Sequence, residues 1–250
     1  MNGDSLDLDQ LARAFELRFP ELRPVRPLSV LGSGFRSVAL ETPGGVVIRI
    51  GRSSDAADDY AKEWRIGHFL TEYMRGVLPD PRWYVEPCLD LPHGALGYKK
   101  LPGAPPAWGV DPGSMFARDL GAFMARLHQI PVEEARAAGV PNVDSYHRLL
   151  GARDVIMPVL AVRFPPSSLA RVRAWWVALS ADRRMQTDRL AVCHHDLWHE
   201  NLLRSATGRL SGVLDIAHVE VGVRHTTSRR HAISAKRSRQ RWPPLMLPAV

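Results

Sequence analysis

Residues 102–106, which read Pro-Gly-Ala-Pro-Pro, separate two parts of the sequence that differ in periodicity. A stretch so rich in proline and glycine continues neither a helix nor a central strand. Before it, β-branched runs such as 46–50 predict strands, with one long helix over 55–75 among them. After it, apolar residues recur every three or four positions across 114–130, which predicts a helix. We therefore expect two lobes joined at this segment.

The expected fold class is α+β, with strands and one main helix in the N-terminal lobe and mostly helices in the C-terminal lobe. The N-terminal lobe is expected at 1–101, the C-terminal lobe at 102–222, and a tail of different composition at 223–250. Strands are predicted at 29–31, 35–42, 46–50, 83–91 and 95–101, and further helices at 6–19, 144–162 and 166–180.

The charge of the chain is concentrated in the tail. The chain has 33 basic and 26 acidic residues, for a net charge of +7, and the tail contains seven basic residues and no acidic one. A basic surface can attract nucleic acid or an anionic membrane, but residues 1–222 are neutral overall. We expect a solvated, disordered tail, and nucleic-acid binding through it remains an alternative function.

Location and redox environment follow from simple counts. No apolar run approaches the ~20 residues that a membrane helix needs, so we expect no membrane partner. The first ten residues carry three aspartates and no basic residue, unlike a secretory signal. Cys88 and Cys193 are too few for a disulfide framework. These observations together predict a cytoplasmic protein.

A polar cluster near the C-terminal end of the second lobe carries the chemistry. If 202–204 and 210–214 pair as a hairpin around Gly208, Asn201 and Asp215 lie side by side at its open end. Adjacent strands are ~4.8 Å apart, so both side-chain oxygens can reach one hard cation. Asp196 precedes the hairpin by a few residues, and a base beside an Mg²⁺ site suits phosphoryl transfer to a hydroxyl.

The pattern His194-x-Asp196-x-x-x-x-Asn201, followed by Asp215, resembles the aminoglycoside phosphotransferase family. The resemblance implies a bilobal protein-kinase-like fold with a small antiparallel sheet, and ATP-dependent transfer to a hydroxyl of a small molecule. It also implies that Asp196 orients or deprotonates the acceptor, and that Asn201 and Asp215 hold Mg²⁺ between the phosphates of ATP. His194 would support the loop.

The same resemblance assigns nucleotide-binding roles in the first lobe. The turn Gly32-Ser33-Gly34 would cover the phosphates. Arg49 takes the place of the usual phosphate-contacting lysine, and Glu63 would be its ion-pair partner. The backbone around Tyr98, Lys99 and Lys100 would hold the adenine.

Some positions depart from the family pattern. His195 stands where the family usually has glycine. The family's Asp-Pro does not follow Gly222, and we expect the family's following helices to be missing and the second lobe to be incomplete. A frameshift or an alternative 3′ end would explain this change. An inactive nucleotide-binding pseudokinase is therefore a second hypothesis for the function. A zinc site built from Cys193, His194, His195 and His199 is a third, for which no distant ligand pair is evident.

Overall fold

The computed structural model describes residues 7–106, 113–182 and 190–223. An antiparallel five-stranded sheet forms the N-terminal lobe, in the spatial order β1-β2-β3-β5-β4. Its strands are β1 (Ser29–Ser33), β2 (Ser37–Glu41), β3 (Val46–Gly51), β4 (Pro81–Val85) and β5 (Ala95–Lys99). The strand expected at 83–91 was too long, because the chain turns after Val85 and Cys88 and Leu91 bond each other's backbone.

Two helices cover opposite faces of this sheet, and they are α1 (Leu8–Arg18) and α2 (Ser54–Tyr73). Residues two apart on a strand share a face, so β3 serves both helices. Ile48 and Ile50 are buried in a core with Phe15 of α1. Arg49, between them, faces α2 instead and reaches its Glu63. The alternation of β3 thus delivers one cation to the α2 side of the sheet.

Helices and short strand pairs form the C-terminal lobe. The helices are α3 (Met115–Leu127), α4 (Val132–Ala137), α5 (Ser145–Arg163) and α6 (Pro166–Ala181). The strands are β6 (Leu190–Cys193), β7 (Leu202–Arg204), β8 (Leu210–Val213) and β9 (Glu220–Val223), paired β6 with β9 and β7 with β8. Ser114 caps α3 as a hydrogen-bond acceptor. The sequence did not predict α4, because six residues show too little periodicity.

The second half of α2 packs in the core of the C-terminal lobe. Its Ile66 and Leu70 have no exposed surface and lie with Phe116 of α3 and with Val192 and Val221 of β6 and β9. One helix therefore contributes Glu63 to the N-terminal sheet and, one turn later, anchors the strands around the polar cluster. The α2 helix therefore fixes the position of Glu63 relative to the polar cluster of the C-terminal lobe.

The segment expected to be a linker is anchored to the β7–β8 hairpin. Ala104 and Arg204 exchange backbone hydrogen bonds of 3.1 and 2.8 Å, and Ser211 donates to the carbonyl of Pro102. Gly103 has a φ of +104°, and a Cβ there would lie 2.6 Å from the Arg204 carbonyl oxygen. Glycine is required at this crossing because any side chain would collide with the hairpin.

None of the helices in the described ranges is long and apolar enough to cross a membrane. In the C-terminal lobe, β9 ends at Val223, one residue beyond the boundary expected at Gly222. Residues 224–250, for which a disordered basic tail was expected, lie outside the described residues.

Candidate active site

The predicted hairpin is present and sets the geometry of the site. Leu202 pairs with Val213, and the turn contains Gly208 in the left-handed region at φ +79°. The Leu214 N–H donates to the Asn201 carbonyl at 2.7 Å, which extends the pairing to the open end. Asn201 and Asp215 therefore lie next to each other at the open end of the hairpin, as predicted from the position of Gly208 between them.

The loop between β6 and β7 brings Asp196 to the same place. The Asp196 N–H donates to the His194 carbonyl at 2.9 Å. Asn201 Nδ2 donates to the Asp196 backbone carbonyl at 2.9 Å and to its carboxylate Oδ2 at 3.1 Å. These bonds fix the Asp196 carboxylate beside the end of the hairpin.

His194 supports the loop between β6 and β7 from the protein interior. Its side chain is fully buried, and its Nε2 lies 3.1 Å from the Leu214 carbonyl, to which it donates. Its Nδ1 accepts a long bond of 3.4 Å from the Asp196 N–H. Burial lowers the pKa of His194 to about 4, against the pull of Asp215, so the ring is neutral. This neutral imidazole links the Asp196 loop to the residue before Asp215.

Two residues of the site adopt left-handed backbone conformations. His195 has a φ of +62° and Asp215 a φ of +61°. Glycine adopts this region at little cost, whereas a side chain with a Cβ is disfavoured there. The backbone thus gives a physical reason for the glycine that the resemblance led us to expect at position 195.

Arg49 faces the hairpin from the N-terminal lobe. Its Nη1 lies 2.6 Å from Glu63 Oε1 and its Nη2 lies 3.8 Å from Asp215 Oδ1. The guanidinium also lies 5.1 Å from the centre of the Tyr60 ring, within the range of a cation–π contact. Burial alone would lower the pKa of Arg49, but Glu63 and Asp215 raise it well above its ordinary value. Arg49 therefore remains a fixed cation opposite Asp215.

A cleft of about 180 Å³ opens between these elements. Its lining consists of Gly34, Arg36, Ser37, Arg49, Ala56, Asp59, Tyr60, Asp215 and His218. The volume is below the ~300–1,000 Å³ of pockets that enclose a whole ligand, so the cleft suits a compact charged group. Of the predicted glycine turn, Gly34 reaches the cleft. Gly32 and Ser33 belong to β1, where Ser33 Oγ accepts a hydrogen bond from Arg52.

The segment expected to hold the adenine comprises the end of β5 and Lys100, and its residues are not among those that line the described cleft. The Tyr98 side chain is buried, and burial raises its pKa to about 12. Lys99 is exposed. Lys100 Nζ pairs with Glu41 at 2.7 Å, and the Lys100 N–H already donates to the Gly45 carbonyl. Those two Lys100 groups are thus engaged within the sheet.

Sequence reasoning missed several residues of the cleft. Arg36 lies in the β1–β2 turn and pairs with Asp59 of α2 at 2.9 Å. Tyr60 was expected only as an apolar position of α2, although it shares a helix face with Glu63 three residues later. His218 follows Asp215 by three residues in a short 3₁₀ turn. Tyr60 could have been found from its position three residues before Glu63, and His218 from its position three residues after Asp215.

A group able to hold a metal ion lies at the junction of these elements. Asp196, Asp215 and His218 offer ligand atoms that all lie within 4.8 Å of one another. The carboxylates, with the Asn201 amide bonded to one of them, form an oxygen-rich donor set that fits a hard divalent cation. The zinc alternative fits less well, because Cys193 Sγ faces backbone carbonyls and His194 is bonded to Leu214.

Comparison with known proteins identifies the family of the chain and structures with a similar fold. Residues 25–226 match the phosphotransferase enzyme family. The GDP and kanamycin complex of the aminoglycoside phosphotransferase APH(2")-IIia is 20% identical, with a TM-score of 0.78 over 90% of this chain and 77% of that one. The macrolide 2'-phosphotransferase MphH from Brachybacterium faecium is 25% identical, with a TM-score of 0.69 over 91% and 78%.

A streptomycin–ATP complex of APH(2")-IIa is 15% identical, with a TM-score of 0.69 over 89% of this chain and 74% of that one. No curated protein matches the chain. The family match and the shared fold confirm the kinase-like fold and the phosphotransferase class expected from the sequence. The chain therefore belongs to the phosphotransferase enzyme family.

Proposed function

We propose that the chain transfers the γ-phosphoryl group of Mg²⁺-bound ATP to a hydroxyl of an antibiotic-like small molecule, in the cytoplasm. One observation carries this proposal: the Asp196, Asn201 and Asp215 side chains converge opposite the Arg49–Glu63 pair. The similar structures that contain aminoglycosides or are named for macrolides support the acceptor class. The chain has only two cysteines, Cys88 and Cys193, and so few cysteines support a reducing compartment.

Arg49 and Glu63 act on the nucleotide side of the cleft. The Arg49 guanidinium contacts the phosphates, and Glu63 fixes its position through the 2.6 Å ion pair. Residues 1–101 then bind the nucleotide, with Gly32, Ser33 and Gly34 near the phosphates and the backbone of Tyr98, Lys99 and Lys100 near the base. Residues 102–222 supply the metal ligands and the catalytic carboxylate.

Asn201 and Asp215 hold the magnesium ion, which neutralises charge on the phosphates when it is bound. Asp196 orients the acceptor hydroxyl and accepts its proton as the phosphoryl group moves. Its carboxylate is positioned for this role because Asn201 bonds to both its backbone and its side chain. Such a reaction asks the protein mainly for positioning and electrostatic stabilisation.

The test is an ATP-consumption screen over aminoglycosides, macrolides and small alcohols with the full chain, run beside Asp196→Asn. We expect ATP to be consumed with at least one acceptor and a phosphorylated product to form, and we expect Asp196→Asn to lower that turnover by roughly 10²–10⁴-fold. ATP binding without transfer to any acceptor would overturn the proposal in favour of an inactive nucleotide-binding pseudokinase. Salt-sensitive DNA binding lost on deletion of 224–250 would instead favour the tail-mediated alternative.

A further inference from the structure

His218 adds a nitrogen donor to an otherwise oxygen-based site. It ends the 3₁₀ turn Ile216–His218, which begins directly after Asp215. Its Nε2 lies 4.0 Å from Asp215 Oδ2, and it lines the cleft together with Asp215 and Arg49. The His218 side chain is 42% exposed and can adjust its position. It therefore stands at the open side of the group formed with Asp196 and Asp215.

The distances are compatible with a shared ion. Ligand atoms of Asp196, Asp215 and His218 all lie within 4.8 Å of one another. Two ligands on opposite sides of a small divalent ion at ~2.1 Å are about 4.2 Å apart. The 4.0 Å between His218 Nε2 and Asp215 Oδ2 lies below this value, so these two side chains can share one ion.

Resting on the proposed function, we propose that His218 ligates the metal and makes this site prefer a transition-metal ion such as Mn²⁺ or Co²⁺ over Mg²⁺. Magnesium takes oxygen ligands, which Asn201 and Asp215 supply without His218. Imidazole nitrogen binds first-row transition ions more strongly, in the order that places Co²⁺ above Mn²⁺. His218 thus raises affinity for the transition ion selectively.

The experiment titrates Co²⁺ and Mg²⁺ into the nucleotide-free full chain. Binding is followed by calorimetry and, for Co²⁺, by visible absorption that reports nitrogen ligation. The variants are His218→Ala and the size-conserving His218→Gln, with His68→Ala on the exposed surface of α2 as the matched control. We expect both His218 variants to lose at least tenfold in Co²⁺ affinity, with Mg²⁺ affinity unchanged and the control like the wild type.

Two results overturn the inference. One is unchanged Co²⁺ affinity and spectrum in both His218 variants, and the other is an equal loss in His68→Ala. Asp215→Asn separates this inference from the proposed function, because it should weaken both ions. If Asp215→Asn changes neither ion, the metal site of the proposed function is itself wrong. If Asp215→Asn weakens metal binding but the His218 variants do not, the metal site of the proposed function is retained and His218 is not a ligand.

Discussion

Arg49 Nη1 lies 2.6 Å from Glu63 Oε1, and the Glu63 side chain has no exposed surface. The pair joins β3 to α2, and on its other side Arg49 faces Asp215 at 3.8 Å. Burial raises the pKa of Glu63 to about 7, while Arg49 opposes the shift. Glu63 is therefore only partly ionised near neutral pH, and the Arg49 cation favours its charged form.

The Arg49→Met variant removes that cation and leaves Glu63 in an apolar setting. Breaking a buried pair in this way costs roughly 3–5 kcal/mol. The loss in free energy of unfolding should be larger at pH 8 than at pH 5.5. At pH 8, keeping the buried Glu63 protonated or ionising it without a cation both cost free energy, whereas at pH 5.5 the group is readily protonated. Urea unfolding at the two pH values measures this. The double variant Arg49→Met/Glu63→Gln is the control and should lose the pH dependence. An equal loss at both pH values would count against this account.

His194 should make the free energy of unfolding of the wild-type chain decrease as the pH falls. Its pKa is about 4 in the folded chain and 6.5 in the unfolded one, so the unfolded chain binds the proton more tightly. The stabilisation is complete above pH 6.5 and is lost as pH falls towards 4, by up to about 3 kcal/mol. His194→Gln cannot titrate, although its amide can still donate to the Leu214 carbonyl. Urea unfolding between pH 4 and 7 should show a flatter profile for this variant, and an unchanged slope would refute the prediction.

The left-handed backbone at His195 predicts an inverted order of stability for two small variants. At ordinary positions, alanine is more stable than glycine. At φ +62°, a Cβ costs roughly 1–2 kcal/mol, so His195→Gly should be more stable than His195→Ala by about 1 kcal/mol. Thermal unfolding of the two variants decides it. Alanine equal to or better than glycine would show that the loop relaxes out of this conformation.

The sequence predicted the hairpin well because its signals are local. Gly208 lies midway between Asn201 and Asp215, and pairing around this turn brings both residues to the open end, although the register sets Leu214 opposite Asn201. The α2 helix was predicted from its apolar positions, which are also a local signal, whereas the pairing of Arg49 with Glu63 came from the family resemblance. The roles of these residues in binding and transfer stay predictions.

Other features depended on the folded chain. The glycine turn was placed at Gly32–Gly34, whereas β1 runs through Ser33 and Gly34 alone reaches the described cleft. The bulge between Val30 and Gly32 shifts the register, and composition does not reveal it. The anchoring of Gly103 on the hairpin joins residues about a hundred positions apart, for which no local pattern exists.

The central claim is that Asp196 serves the acceptor while Asp215 serves the metal, and one paired measurement separates these roles. Asp196→Asn and Asp215→Asn are each assayed for Mg²⁺-dependent ATP affinity and for turnover with an acceptor. We predict that Asp196→Asn keeps its ATP affinity and loses roughly 10²–10⁴-fold in kcat, whereas Asp215→Asn loses Mg²⁺-dependent affinity. Wild-type turnover in Asp196→Asn, or unchanged Mg²⁺-dependent affinity in Asp215→Asn, would contradict the account.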